Sequence, residues 1–357
     1  MPKILADKDE LHACWEEIRT SGFFTEGKYG VKLVEEVSKW SGHHAIPTNN
    51  CGSGLFAVAR WLYRELGGGT KVAAVCSNTF FATGAMFIEA GFRLQLIDCE
   101  LNTFSMCAES LAASKVRPDV VVLTHVGGQL AHDYEEIASW CNERNIRLVE
   151  DAAHTLGVKR RGLVPGELGL AAVYSLYPTK AIPAGEGGIV TTRNPVLAQD
   201  VRRFCNYGKY KAGQELRYTG VGFNLRMDEW TAAVAYLQFQ KREEIITQRA
   251  WGAKKLQDII PSLFGKVEGC ESNWYKFAVR KEAAEALGVK RFTGQVYGRG
   301  DQLSAIFNEP GELRVLPHSH LTNCRWVADH HVCLPLEEGL YDNMSKEQML
   351  AWLRGEA

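Results

Sequence analysis

Apolar positions along the first half of the chain switch repeatedly between two spacings. From Leu55 to Leu66, L-F-A-V-A-R-W-L-Y-R-E-L repeats its apolar residues at helical intervals, entered through N-N-C-G-S-G and left through Gly67-Gly68-Gly69. A strand follows at K-V-A-A-V-C (Lys71 to Cys76), a helix around Thr83 to Ala90, and a strand at R-L-Q-L-I-D (Arg93 to Asp98). The rhythm continues with a strand over Asp119 to Val126, a helix over Tyr134 to Arg144, and strands at Ile146 to Asp151, A-A-V-Y-S-L-Y and Gly187 to Thr192. Alternating β and α units of this kind predict a largely parallel sheet covered by helices.

After Asn224 the pattern changes. M-D-E-W-T-A-A-V-A-Y-L-Q-F-Q-K-R-E-E-I-I-T-Q-R predicts one long helix to about Arg249, followed by a strand at N-W-Y-K-F-A-V-R, a helix at K-E-A-A-E-A-L, a Cys/His-containing strand and a terminal helix. A boundary near residues 245 to 255 divides the chain into a large domain, 1–250, and a small C-terminal α/β domain, 251–357, on which the N-terminal segment is free to pack.

Composition narrows the function. With 357 residues and 46% hydrophobic content the chain can bury a sizeable core, and its 41 Lys and Arg nearly balance 42 Asp and Glu. No basic field advertises nucleic acid, and no apolar run approaches the roughly 18 residues that span a bilayer. The ten cysteines are scattered without a C-x-x-C pair, and the first residues lack a signal peptide's apolar core. A reducing cytoplasm is the expected setting, and a small molecule the expected substrate.

In open α/β sheets ligands collect beyond the carboxyl ends of the strands, and four motifs fall there. Gly52-Ser53-Gly54 opens a helix, where backbone N–H groups and the helix dipole favour an anion such as phosphate, although an ordinary serine cap accounts for it equally. Asp151, in L-V-E-D-A-A-H, ends a strongly apolar strand and could pair with a protonated ring nitrogen, bind a metal or cap the next turn. Ser175 ends its own strand five residues before Lys180. Lys180 itself follows a β-type run and precedes A-I-P-A-G-E-G-G, a setting open to a solvated loop lysine or a lysine at the mouth of the sheet. The combination suggests pyridoxal 5′-phosphate, with a lysine for a Schiff base, an acid for the pyridine nitrogen, and hydroxyls with a helix N-terminus for the phosphate. Partial desolvation of Lys180 would leave some of its amine neutral for that chemistry.

Six motifs in order carry a resemblance. N-C-G-S-G-L, S-N-T-F-F-A-T, H-V-G-G-Q, V-E-D-A-A-H-T-L-G, S-L-Y-P-T-K-A-I-P-A-G-E-G-G and G-F-N-L-R-M-D-E together resemble the DegT/DnrJ/EryC1/StrS sugar aminotransferases, from about Gly22 through Arg249 and more loosely to H-H-V-C-L-P-L. The resemblance implies fold type I of the pyridoxal-phosphate-dependent transferases, a mostly parallel sheet flanked by helices plus the small domain. It makes Lys180 the Schiff-base lysine, Asp151 the partner of the pyridine nitrogen, and His154 the neighbour of the cofactor's phenolic oxygen. It also implies that Phe80 stacks on the ring, that Gly52, Ser53, Gly54 and Ser175 hold the phosphate, and that Asn224 reaches it from the other subunit of a homodimer. The family moves an amino group from glutamate or glutamine to a keto sugar, usually nucleotide-linked, or to a keto-cyclitol.

Several positions depart from the family pattern. S-G-T-A-A reads C-G-S-G-L, the proline before S-x-T-F is Cys76, and the asparagine after the lysine is Ala181. F-T-G-Q-V-Y-G-R-G-D-Q (Phe292 to Gln302) lacks the histidine that often follows this element, which leaves the acceptor open. A branch of the family with histidine in place of the lysine removes a sugar hydroxyl, and Lys180 argues against it.

Other readings are weaker. G-F-F-T-E-G-K-Y (Gly22 to Tyr29) nearly matches a P-loop, but Tyr29 replaces the Mg²⁺-binding hydroxyl and the preceding segment looks helical. No G-x-G-x-x-G follows an early strand, against a nicotinamide enzyme. His318, His320, Cys324, His330, His331 and Cys333 could ligate zinc, but their spacing matches no common pattern and no metal is expected. A non-catalytic protein that binds the cofactor or a sugar nucleotide remains the alternative of another class.

Overall fold

The computed structural model describes residues 4–298, 308, 313–317 and 321–356. Its strands and helices begin with α1 (Lys8–Ser21), α2 (Lys28–Ser41), β1 (His44–Thr48), α3 (Cys51–Glu65), β2 (Lys71–Cys76), α4 (Phe81–Glu89) and β3 (Phe92–Ile97). They continue through α5 (Ala108–Ala112), β4 (Val120–Thr124), α6 (Tyr134–Glu143), β5 (Arg147–Asp151), β6 (Ala171–Ser175), β7 (Gly188–Thr192) and α7 (Pro195–Phe204). Strands β1 to β7 form one sheet in the order β1-β7-β6-β5-β4-β2-β3. Only β7 runs against its neighbours, antiparallel to both β1 and β6, so the sheet is mostly parallel and mixed as expected. Strands β4, β6 and β7 are buried along their whole length, and their Val-, Ile- and Ala-rich sequences read as continuous apolar runs because helices cover both faces.

Helix α3 starts four residues before the periodic run that predicted it. Asn50 caps it by accepting a hydrogen bond from Ser53 N, which turns C-G-S-G into the first helical turn. Two glycines let this helix end approach the sheet. A Cβ on Gly54 would lie 2.7 Å from Val173 Cγ1, and one on Gly188 would lie 2.5 Å from the Asn50 carbonyl carbon.

The remaining elements are the hairpin β8 (Lys209–Ala212) and β9 (Glu215–Tyr218), α8 (Glu229–Gln240), α9 (Arg242–Gln257), β10 (Phe277–Arg280), α10 (Lys281–Ala286), α11 (Thr322–His330), β11 (His331–Leu334) and α12 (Lys346–Arg354). The single long helix expected after Asn224 is two. Lys241 N bonds to Gln238 O, three residues back, and its ammonium reaches Leu5 O and Glu10, so the turn tightens there and α9 sets off afresh. The strand expected over N-W-Y-K-F-A-V-R is confined to β10, because Asn273 and Lys276 spend their backbone N–H groups on Gly128 and Gly127 carbonyls of the large sheet's loops. Strands β10 and β11 pair antiparallel over a separate cluster that includes Leu256, Phe277, Leu334, Tyr341 and Leu353.

Helix α1 lies along α8, and Leu5 and Ala6 donate to Gln238 Oε1, so the N-terminal segment docks on the large body and not on the small one. The P-loop-like segment is filled by the protein itself. Glu229 accepts N–H groups of Gly27, Tyr29 and Gly30 at the start of α2, where a phosphate would otherwise sit. In α9, Arg249 is 1% exposed; it donates to carbonyls of Asn273, Trp274 and Tyr275 and pairs with Glu338 at 2.7 Å. No helix among the described residues is long and apolar enough to cross a membrane.

Candidate active site

The carboxyl ends of β5 and β6 and the first turns of α3 and α4 surround a cleft of about 510 Å³. Gly52, Phe80, Asp151, His154, Ser175 and Lys180 all line it. These residues lie as far as 128 positions apart in the chain, and the parallel topology gathers them because each sits at or just beyond the same edge of the sheet.

Asp151 closes the floor. It ends β5 opposite Thr124 of β4 and is 2% exposed. Its Oδ2 accepts the hydroxyl of Thr83 at 2.5 Å, and its Oδ1 accepts Ala153 N at 3.1 Å. Thr83 is steadied by Thr79, which in turn contacts Thr124 at 2.8 Å. Burial raises the Asp151 pKa, while the Thr83 and Ala153 donors and the nearby Lys180 and His125 oppose the rise. Among the described residues no Lys, Arg or His forms an ion pair with it.

His154 stands between two tyrosines. Its ring lies 4.1 Å from the Tyr275 ring and is stacked at 5.4 Å on Tyr297. Gly127 N donates to Nδ1 at 3.3 Å, so the neutral ring carries its proton on Nε2 and donates it to the Tyr297 oxygen at 3.0 Å. Burial, then Lys180 and Lys276, hold the His154 pKa well below the usual histidine range. Asn273 fixes the backbone here by donating to the carbonyls of His154 and Leu156.

Lys180 emerges from the turn Tyr177-Pro178-Thr179, with its N–H on Tyr177 O. Its ammonium sits 4.6 Å from the centre of the Tyr275 ring, and Thr179 contacts the Tyr275 hydroxyl at 3.2 Å. Burial pushes the Tyr275 phenol up, but Lys180 and Lys276 outweigh it and the net shift is downward. A cation beside a phenol with a lowered pKa makes a pair through which a proton can pass.

The anion end of the cleft differs in detail from the expectation. Ser53 N is taken by Asn50 Oδ1 and Gly54 N by Asn50 O, leaving the first-turn N–H groups of Cys51 and Gly52 without an intrahelical acceptor. Gly54 faces Val173 and Val190 of the sheet, so its lack of a side chain lets the helix pack closely there. Neither Gly54 nor Ser53 lines the cleft. Ser175, at the end of β6, does, and so does Phe80, which is 63% exposed at the N-terminus of α4. Asn224 lies on the surface outside the cleft, bridged to Asn206.

The arrangement fits pyridoxal phosphate on the chemistry of its donors. A buried carboxylate without an ion partner can hold a protonated ring nitrogen, a lysine amine shares the cleft, and two helix amides with the Ser175 hydroxyl can hold a phosphate.

Sequence reasoning passed over Thr83, Tyr275 and Tyr297 as site residues. Thr83 and Tyr297 stand inside motifs that were read for other residues, and Tyr275 reads as part of a strand. Residues 299–302 of the F-T-G-Q-V-Y-G-R-G-D-Q element, and His318 and His320 of the Cys/His group, lie outside the described residues. The rest of that group does not converge. His330 bonds Trp326 O, and His331 bonds Val327 O and accepts Val296 N. Cys333 is buried in β11.

Comparison with known proteins follows the same lines. The model of the DegT/DnrJ/EryC1/StrS aminotransferase family matches residues 6–349. A pleiotropic regulatory protein of Geobacillus stearothermophilus is 29% identical over 291 residues, covering 78% of this chain and 76% of that protein. A UDP-N-acetyl-3-dehydro-α-D-glucosamine 3-aminotransferase of Acidithiobacillus ferrooxidans is 25% identical over 351 residues, covering 96% and 91%. The structure of PseC from Helicobacter pylori, an aminotransferase of pseudoaminic acid biosynthesis, superposes with a TM-score of 0.84 at 21% identity, covering 99% of this chain and 97% of that one.

Proposed function

The chain belongs to the DegT/DnrJ/EryC1/StrS aminotransferase family, as a pyridoxal-phosphate enzyme of fold type I, and from that premise we propose that it transfers an amino group from glutamate or glutamine to a nucleotide-linked keto sugar. The observation that carries this reading is Lys180 and Asp151 lining one cleft, the amine at its wall and the buried carboxylate at its floor.

Bound there, pyridoxal phosphate supplies an electron sink for the pair released when a substrate Cα–H bond breaks. The chain's own groups do the rest. Asp151, steadied by Thr83, would keep a proton on the ring nitrogen. Lys180 would hold the cofactor covalently and, once displaced by the amino donor, carry the Cα proton on Nζ. Tyr275, with its lowered pKa, is the group beside Lys180 able to exchange that proton. His154 would remain neutral and, braced by Tyr297, stand beside the phenolic oxygen. Ser175 and the amides of Cys51 and Gly52 would hold the phosphate, and Phe80 would cover the ring. Donor and acceptor would use this one cleft in turn, in a ping-pong sequence.

Asn224 would complete the phosphate site from a second subunit, which makes the working unit a cytoplasmic homodimer with shared sites. The large domain, 1–250, would carry the cofactor, and the small domain, 251–357, would supply Tyr275 and Tyr297 to the acceptor side. A keto-cyclitol is the alternative acceptor. A sugar dehydratase is disfavoured because Lys180, not histidine, occupies the Schiff-base position. The regulatory relative's name supports a second reading, a protein that binds without turnover, but the presence of Lys180 together with Asp151 in one cleft disfavours it.

The test is the absorption spectrum of the purified protein with and without glutamate, followed by borohydride reduction and peptide mass spectrometry. Cofactor trapped on Lys180 and a spectrum that changes with glutamate are expected. A trapped cofactor whose spectrum ignores every amino donor would instead support the binding protein.

A further inference from the structure

Two cysteines and a carboxylate meet near the S-N-T-F turn, with a third cysteine at the end of the strand that leads into it. Cys76 ends β2, Asp98 and Cys99 follow β3, and Cys324 lies in the first turn of α11. Cys76 and Cys99 are fully buried and Cys324 is 4% exposed. A carboxylate oxygen of Asp98 and the sulfurs of Cys99 and Cys324 all lie within 4.8 Å of one another. Cys76, the last residue of β2, is near enough to Cys324 for the two thiols to interact. All four are free of disulfides or ion pairs among the described residues.

From this geometry we propose that Asp98, Cys99 and Cys324, with Cys76 as fourth ligand, bind a structural zinc ion. In a tetrahedral site with Zn–S near ~2.3 Å and Zn–O near ~2.1 Å, ligand atoms stand roughly 3.5–3.8 Å apart, so small side-chain movements close the observed cluster onto an ion. Thiolate ligands in a dry site select zinc over the harder divalent cations.

The hydrogen bonding of Asp98 supports it further. Asp98 already accepts N–H groups from Cys99, Asn323 and Cys324, at 2.9, 2.9 and 2.8 Å, which orients the carboxylate and leaves about one of its roughly four lone-pair sites for a metal. Binding would release the thiol protons of Cys76, Cys99 and Cys324 to solvent and leave zinc joined to two strand ends and one helix. In the Cys/His cluster of the sequence, His330 and His331 bond to Trp326 O and Val327 O and not toward Cys324.

The test is metal analysis of the holoenzyme purified in a non-thiol, non-chelating reductant from cells supplied with zinc. One zinc per chain is expected, lost in Cys99→Ser and Cys324→Ser, with the cofactor absorbance retained and the melting temperature lowered by several degrees. Cys107→Ser, outside the cluster, should keep the metal. Should either cluster variant fail to fold, cobalt(II) exchanged into the wild-type holoenzyme decides: intense tetrahedral thiolate–cobalt bands are expected, and weak octahedral bands overturn the proposal. It is equally overturned by a wild-type protein that neither contains zinc nor takes up added Zn²⁺, or by zinc that both folded variants retain.

Discussion

The hydroxyl of Thr83 lies 2.5 Å from Oδ2 of Asp151, so a residue in the first turn of α4 steadies the carboxylate that ends β5. A hydrogen bond to a charged group is worth about 1.5–3 kcal/mol when its loss leaves the charge buried. Thr83→Val should therefore cut transamination about tenfold or more, with Thr83→Ser restoring most of it. Equal kcat/KM for the valine variant and the wild type would deny Thr83 this part.

Lys180→Ala should leave cofactor that borohydride cannot fix to the protein, and single-turnover reaction with glutamate should fall by at least about a thousandfold. Peptide mass spectrometry and stopped-flow absorbance check the two halves separately. Full turnover in the variant would remove Lys180 from the mechanism.

Tyr297→Phe takes the acceptor away from His154 Nε2–H without opening a cavity. A lost neutral hydrogen bond of about 1 kcal/mol predicts a roughly fivefold fall in kcat, with the cofactor still trapped on Lys180. If Tyr297 served packing alone, the melting temperature would move and kcat would not.

The raised pKa of Asp151 makes the cofactor-free protein sensitive to pH in a stated direction. Native protein holds this proton more tightly than unfolded chain, so the stability it contributes is complete below the ordinary aspartate pKa and is lost as pH rises through the folded value. Cofactor-free Asp151→Asn keeps a neutral group throughout, so its stability relative to wild type should climb with pH over that window and then level off. With cofactor bound the order reverses at neutral pH, because the wild-type carboxylate then has a cation. Thermal melts of both forms across pH check the sign, and parallel curves for the cofactor-free proteins would refute it.

Glu229→Gln should destabilise the protein by about 2 kcal/mol in denaturant titrations, because the carboxylate accepts three N–H groups at the start of α2. An unchanged midpoint would mean that water replaces the cap at no cost.

Much of this was legible in the sequence where the chemistry is local. K-V-A-A-V-C is a strand in both readings, and Asp151, Ser175 and Lys180 are readable because they end, or shortly follow, runs that have to be strands. What stayed hidden depends on approach between distant segments. Tyr275 reaches the site because Asn273 N bonds to Gly128 O and Lys276 N to Gly127 O, a docking that no periodicity announces. Gly54 shows the converse: a glycine beside a helix start suits both an anion and a close sheet contact, and only the structure brings Val173 and Val190 against it.

Arg249 has a mechanical consequence. Its guanidinium grips the carbonyls of Asn273, Trp274 and Tyr275, while the Asn273 side chain grips those of His154 and Leu156. Three segments, α9, residues 273–275 and residues 154–156, are thereby riveted together beside the cleft. Swinging the small sheet aside would break these hydrogen bonds, so access to the cleft falls to single side chains at the rim. Phe80 and Tyr177, 63% and 47% exposed to solvent, are the rim side chains whose rotamers can turn on the picosecond-to-nanosecond scale.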